Sequence, residues 1–140
     1  MAKLNDYDER WHRLLTKAAG GDRNALSDMT PKKEDETILV AFRHFLLECY
    51  EDQVKLELGN ALTPTRDKDA LRMKVVSLHH WKFNDVEKMG TNALIGALIE
   101  QLAHFKLPID AVETVQNLME RRPFLAHALA HHRPARVADQ

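Results

Sequence analysis

The chain of 140 residues contains a single cysteine, Cys49. One cysteine cannot form an internal disulfide or supply a thiolate-rich zinc site, so a reducing compartment such as the cytoplasm is the simpler expectation. Twenty basic residues are balanced by twenty-one acidic ones, which excludes a globally polycationic nucleic-acid binder. The sequence contains no apolar run of about 18 residues and begins without an apolar segment, so we expect neither membrane association nor a signal peptide.

Glycine and proline are also scarce, with five of each, and most of them fall between segments of helical apolar periodicity. No segment requires a strand. The sequence therefore predicts an all-α fold, a compact bundle of five to six helices, with a single domain over 1–132 and a flexible basic tail over 133–140. The predicted helices cover about 5–19, 31–58, 67–82, 85–105, 110–122 and 123–132.

The second predicted helix is unusually long and is expected to be central. Thr30 and Pro31 are typical of a helix start, and no breaker follows until Gly59. Its middle is apolar around most of the circumference, more than a small bundle is expected to cover. We therefore predict an exposed apolar flank that supports a homodimer and includes Leu39, Leu46 and Leu47.

The C-terminal region predicts a second binding surface, because residues 121–138 contain no acid. A basic amphipathic helix of this kind can dock on an acidic protein partner. The simpler alternative is a terminal helix that packs on the core and leaves its arginines in water. The residues expected to bind are Arg121, Arg122, Phe124, Arg133 and Arg136.

A second basic stretch gives an alternative function, in which the protein contacts the phosphate backbone of a nucleic acid. The stretch is diluted by Asp67 and Asp69, and no helix has the polar, basic character of a DNA-recognition helix. The C-terminal arginines would contribute to the same contact. The stretch consists of Arg66, Lys68, Arg72, Lys74 and Lys82.

Eight histidines suggest a third possibility, a metal-binding bundle. His127, His131 and His132 are weak candidates, because no cysteine or carboxylate lies near in sequence to complete four ligands. The histidines paired with acids at helical spacing are predicted to face solvent, and we expect no cofactor. His79 and His80 border an apolar stripe and are predicted to be partly buried.

Catalytic signatures are missing from the sequence. It contains no glycine-rich phosphate loop, no nucleophile elbow and no metalloprotease motif. Cys49 lies in the most apolar helix, where a thiol is more often packing than nucleophile. The sequence therefore predicts a non-catalytic module that binds another protein, as an adaptor, inhibitor or regulatory subunit.

Overall fold

The computed structural model describes the backbone of residues 2–134 and the side chains of residues 6–134. Within these residues every regular element is helical, so the all-α class with one long helix is confirmed. Residues 135–140, which include Arg136 and most of the predicted tail, lie outside the described residues. The elements are α1 (Ala2–Ala18), a 3₁₀ helix (Arg23–Asp28), α2 (Pro31–Leu58), α3 (Asp69–His79), α4 (Phe83–Val86), α5 (Thr91–Ala97), α6 (Ile99–His104), α7 (Ile109–Met119) and α8 (Pro123–Ala130).

The chain divides into two compact units, which are described separately. Unit 1 comprises Met1–Phe45 and Lys106–Gln140, and unit 2 comprises Leu46–Phe105. The long helix α2 therefore contributes its first half to unit 1 and its second half to unit 2. The expectation of a single domain over 1–132 stays a prediction.

In unit 1, α7 packs against both α1 and α8. Leu15 of α1 and Val115 of α7 are fully buried. Trp11 meets Phe45 edge-to-face, with ring centroids 5.4 Å apart. Aromatic pairs of this geometry add to the stability that burial of their area provides, so they help to hold α1 against the first half of α2.

In unit 2, α3 packs against α4 and α5. Leu71 and Val75 of α3 are buried, as is Leu94 of α5. Tyr50 and Phe105 form a second edge-to-face pair at 5.5 Å. Cys49 is buried, as expected for a residue that contributes to packing.

Both predicted ends of α2 are confirmed. The Lys33 amide donates to Thr30 Oγ1 at 3.3 Å, and Pro31 opens the helix. The helix ends at Leu58, and Gly59 follows with a φ of 78°. A positive φ costs glycine little because it has no Cβ, which explains why the helix ends here.

The region predicted as one helix over 85–105 forms three short helices, α4, α5 and α6. Gly90 is extended immediately before α5, and Leu98 leaves helical geometry between α5 and α6. α4 begins after Lys82 and α7 begins after Pro108, and neither helix has a side-chain cap at its start. Among residues 2–134, no helix has the length and apolar character that crossing a membrane requires.

Candidate protein-binding surface

The apolar flank predicted on α2 is largely buried. Leu46 and Leu47 are both covered, and Leu39 is half-buried. The expectation that Leu46 and Leu47 form an exposed patch is therefore wrong. Consecutive residues of a helix point about 100° apart, so burial of both means that α2 is covered over a wider arc than we expected.

Arg122 is held within unit 1. Its Nη1 donates to Pro31 O at 2.8 Å and to Asp35 Oδ1 at 2.6 Å, and its Nη2 pairs with Glu34. Arg133 pairs with Glu120 in the same unit. Two of the arginines expected to bind an acidic partner thus have acidic partners within the chain, and their binding of another protein stays a prediction.

Other residues predicted in the C-terminal binding surface do face solvent. Arg121 is exposed, and Phe124 is more than half exposed. The remaining predicted residue, Arg136, is outside the described part of the chain. Of the predicted residues that the structure describes, Arg121 and Phe124 are the most exposed, whereas Arg122 and Arg133 are half-buried.

Arg72, one of the residues predicted to contact phosphate, faces the interior of unit 2. Its Nη1 donates to Asp69 Oδ1 at 2.7 Å and to Asp67 O at 2.8 Å. Its Nε and Nη2 donate to Met89 O at 3.1 and 3.0 Å. The prediction of Arg72 as a surface contact is wrong, because its guanidinium is buried and bonded within the chain.

Three other basic residues of the same stretch have acidic partners. Arg66 Nε lies 3.8 Å from Asp69 Oδ1. Lys68 pairs with Asp67 at 3.4 Å, and Lys74 pairs with Glu57 at 3.6 Å. Lys82 is exposed in the connection between α3 and α4. The acids that dilute the stretch in sequence thus also neutralise much of it in space.

The histidine candidates for a metal site lie in different surroundings. His127 and His131 are exposed, whereas His132 is buried with its ring edge-to-face to Phe42 at 5.8 Å. Throughout the described part of the chain, no group of three or more histidine, cysteine, aspartate or glutamate residues is arranged to hold a metal ion.

Exposed large apolar side chains are concentrated in unit 2. Seven of the ten that the described residues include belong to it: Leu56, Leu62, Met73, Leu78, Trp81, Phe83 and Ile99. Leu78, Trp81 and Phe83 lie within six consecutive residues, where α3 ends and α4 begins. Solvent-exposed aromatic residues this close together are typical of a binding surface.

The position of Trp81 is set by the turn that the chain makes after α3. His80 adopts a left-handed conformation with a φ of 59°, and its amide donates to Val76 O at 2.8 Å. The His79 ring stacks on Trp81 with centroids 4.8 Å apart and planes inclined by 24°. Because the stack and the tight reversal act together, the indole is positioned although it is 46% exposed.

A hydrogen bond joins this reversal to the α5–α6 junction. His79 Nε2 lies 2.7 Å from the carbonyl oxygen of Ala97, the last residue of α5. Ile99, which opens α6 two residues later, is 59% exposed. We call Leu78, Trp81, Phe83 and Ile99 together the Trp81 patch.

The charges along the same segment are balanced. Lys82 and Lys88 are matched by Asp85 and Glu87, and all but the half-buried Glu87 are exposed. A surface with exposed apolar anchors between charges of both signs is suited to noncovalent binding of a polypeptide.

Sequence reasoning missed the Trp81 patch because it assigned His79 and His80 to a partly buried stripe. Both histidines are exposed. The signal that could have found the patch is the pair Trp81 and Phe83, which follow the last apolar position of α3 and precede a polar turn. Phe83 lies beyond the predicted end of that helix, so the helical periodicity gives it no core face to occupy.

Comparison with protein-family models, with curated proteins and with solved structures found no match to this chain.

Proposed function

We propose that this protein is a non-catalytic protein-binding module, acting as an adaptor, inhibitor or regulatory subunit through the Trp81 patch. The observation that carries the proposal is Trp81, an exposed indole whose ring is stacked on His79 and whose supporting histidine is bonded to Ala97. Tryptophan is enriched among the residues that dominate binding energy at protein interfaces.

The fixed geometry of Trp81 favours binding. Ordering a rotamer-rich side chain at an interface costs about 0.5–1.5 kcal/mol, and a side chain that is already ordered avoids most of that cost. The indole also presents a large apolar area with few rotatable bonds. Removal of such an anchor typically costs about 2 kcal/mol or more of binding free energy.

The surroundings of Trp81 favour a protein partner over a nucleic acid. Leu78 and Ile99 supply aliphatic surface, which suits apolar side chains of a polypeptide. Phosphate binding requires a local excess of positive charge, whereas the segment around Trp81 contains equal numbers of lysines and acids. The nucleic-acid alternative remains a prediction that rests on Arg66, Lys82 and Arg121.

The proposal is tested by photo-crosslinking in the cells that produce the protein. p-Benzoylphenylalanine replaces Phe83 in the patch or, as the control, Leu56, which is 83% exposed in the same unit. We expect discrete protein adducts at position 83 and their loss when Trp81→Ala is added. The proposal would be contradicted if the adducts did not depend on Trp81 or if the same adducts formed at position 56. It would also be contradicted if treatment with nuclease removed the adducts.

A further inference from the structure

We infer that the occupant of the Trp81 patch is a second copy of this chain, related to the first by a twofold axis through the patch. The inference rests on the proposed function and deepens it by naming the partner. Its basis is the pattern of charge around the apolar anchors.

A twofold interface places the same surface on both sides, so the surface must be complementary to itself. A uniformly basic or acidic rim fails this condition, because like charges then face each other. The charged residues that neighbour Trp81 and Phe83 in sequence, which we call the rim, are Lys82 and Lys88 together with Asp85 and Glu87. After a twofold rotation, a lysine of one copy can face an acid of the other.

The net charge of the whole protein agrees with this arrangement. With a formal charge of −1, two copies approach with little overall repulsion. Each apolar side chain of the patch also contributes twice to a twofold interface. Pairing two identical patches therefore removes both exposed indoles from water in one association step.

Sedimentation velocity of the purified, untagged chain over nanomolar to micromolar concentrations tests the inference. We expect a dimer that Trp81→Ala weakens by about 30-fold or more. Ile99→Glu should act in the same direction from another part of the patch. Leu56→Ala is the matched control and should leave the dissociation constant unchanged, and circular dichroism checks that each variant keeps its helix content.

Charge exchange tests the twofold pairing directly. Lys82→Asp and Asp85→Lys each give the rim an excess of one sign, so each should weaken the dimer at low ionic strength. The double variant Lys82→Asp, Asp85→Lys restores the balance and should recover most of the affinity. If the loss of dimer affinity in the double variant equalled the sum of the losses in the two single variants, the rim would not be self-complementary.

A wild-type chain that stays monomeric throughout the micromolar range would overturn the inference, as would a dimer that neither Trp81→Ala nor Ile99→Glu weakens. These failures differ from a failure of the proposed function. A monomer that forms Trp81-dependent adducts with another protein at position 83 overturns only the second copy as partner. The absence of any Trp81-dependent adduct overturns the function itself.

Discussion

Arg72 has a structural role that its position in a basic stretch conceals. Its guanidinium bonds two backbone carbonyls, those of Asp67 and Met89, and the carboxylate of Asp69. Nearby, the carboxylate of the buried Glu51 accepts a hydrogen bond from the backbone amide of Lys68 at 3.0 Å. The planar fork of arginine can satisfy three acceptors at once, which the single ammonium group of lysine does less well.

Replacement of Arg72 by methionine should lower the free energy of unfolding by about 3–5 kcal/mol, because it leaves Asp69 without its buried cation. Lys74→Ala, two residues away on α3, is the comparison. Lys74 pairs with the half-exposed Glu57, so its loss should cost less than about 1 kcal/mol. Urea unfolding measures both, and equal losses would contradict the structural role of Arg72.

Tyr50 provides a prediction on pH. Burial of its hydroxyl group raises the pKa above the ordinary value of 10.0, and the nearby charge of Glu57 raises it further. The unfolded chain therefore loses the phenolic proton at a lower pH than the folded protein does. The contribution of Tyr50 to stability is complete below pH 10 and falls as the pH rises above this value.

Tyr50→Phe should therefore lose less stability than the wild type as the pH rises above 10. Urea unfolding at several pH values compares the two proteins. A titration of the absorbance near 295 nm gives a second measurement, because Tyr7 is the only other tyrosine. Parallel pH profiles for the two proteins would mean that burial does not alter the ionisation of Tyr50.

At the level of elements, Arg122 connects the start of α8 to the start of α2 within unit 1. It is the N-cap residue of α8, and its bonds reach Pro31, Glu34 and Asp35. The two acids lie near the start of α2, where the helix dipole favours negative charge. In the structure they also bind this arginine, which places α8 against the first turn of α2.

Arg122→Ala should lower the free energy of unfolding by about 1.5–3 kcal/mol, the usual range for hydrogen bonds to charged groups. Arg121→Ala is the matched control, because Arg121 is exposed and adjacent in sequence. Its replacement should change stability by less than about 0.5 kcal/mol. If both substitutions had the same small effect, Arg122 would be as weakly coupled to the fold as a solvated residue.

Elements set by local chemistry could be predicted from the sequence. The bounds of α2 follow from Thr30, Pro31 and Gly59, whose effects depend on neighbours a few residues away. The start of α3 could not be predicted in the same way. The residue before α3, Lys68, has a left-handed backbone conformation. Its backbone amide donates a hydrogen bond to the carboxylate of Glu51, 17 residues earlier in the chain.

The candidate site was less predictable, because the exposure of a residue depends on which distant parts of the chain pack against it. The apolar circumference of α2 did not reveal that Leu46 and Leu47 would be covered. The charges of Arg72 and Arg122 did not reveal that both would be paired inside the chain. Phe124 and Arg121 were predicted at the surface and do face solvent. Their binding of an acidic partner stays a prediction.

For the whole molecule, the central question is whether the two units unfold together. The 28 residues of α2 belong partly to each unit, and no break in the helix separates them. Loss of either unit would remove the packing from half of this helix, and isolated helical segments of that length are marginal in water. We therefore expect one cooperative transition, in agreement with the predicted single domain.

The two tryptophans allow this expectation to be tested, because Trp11 belongs to unit 1 and Trp81 to unit 2. In a Trp81→Phe background, the buried Trp11 reports unit 1 alone. Adding Arg72→Met, which weakens unit 2, should lower the urea midpoint of Trp11 fluorescence as much as it lowers the midpoint of circular dichroism. This follows because in a two-state transition every probe moves together. The units would be separate folding domains if Arg72→Met left the urea midpoint of Trp11 fluorescence unchanged. The unfolding curve followed by circular dichroism would then show an additional step at lower urea concentration.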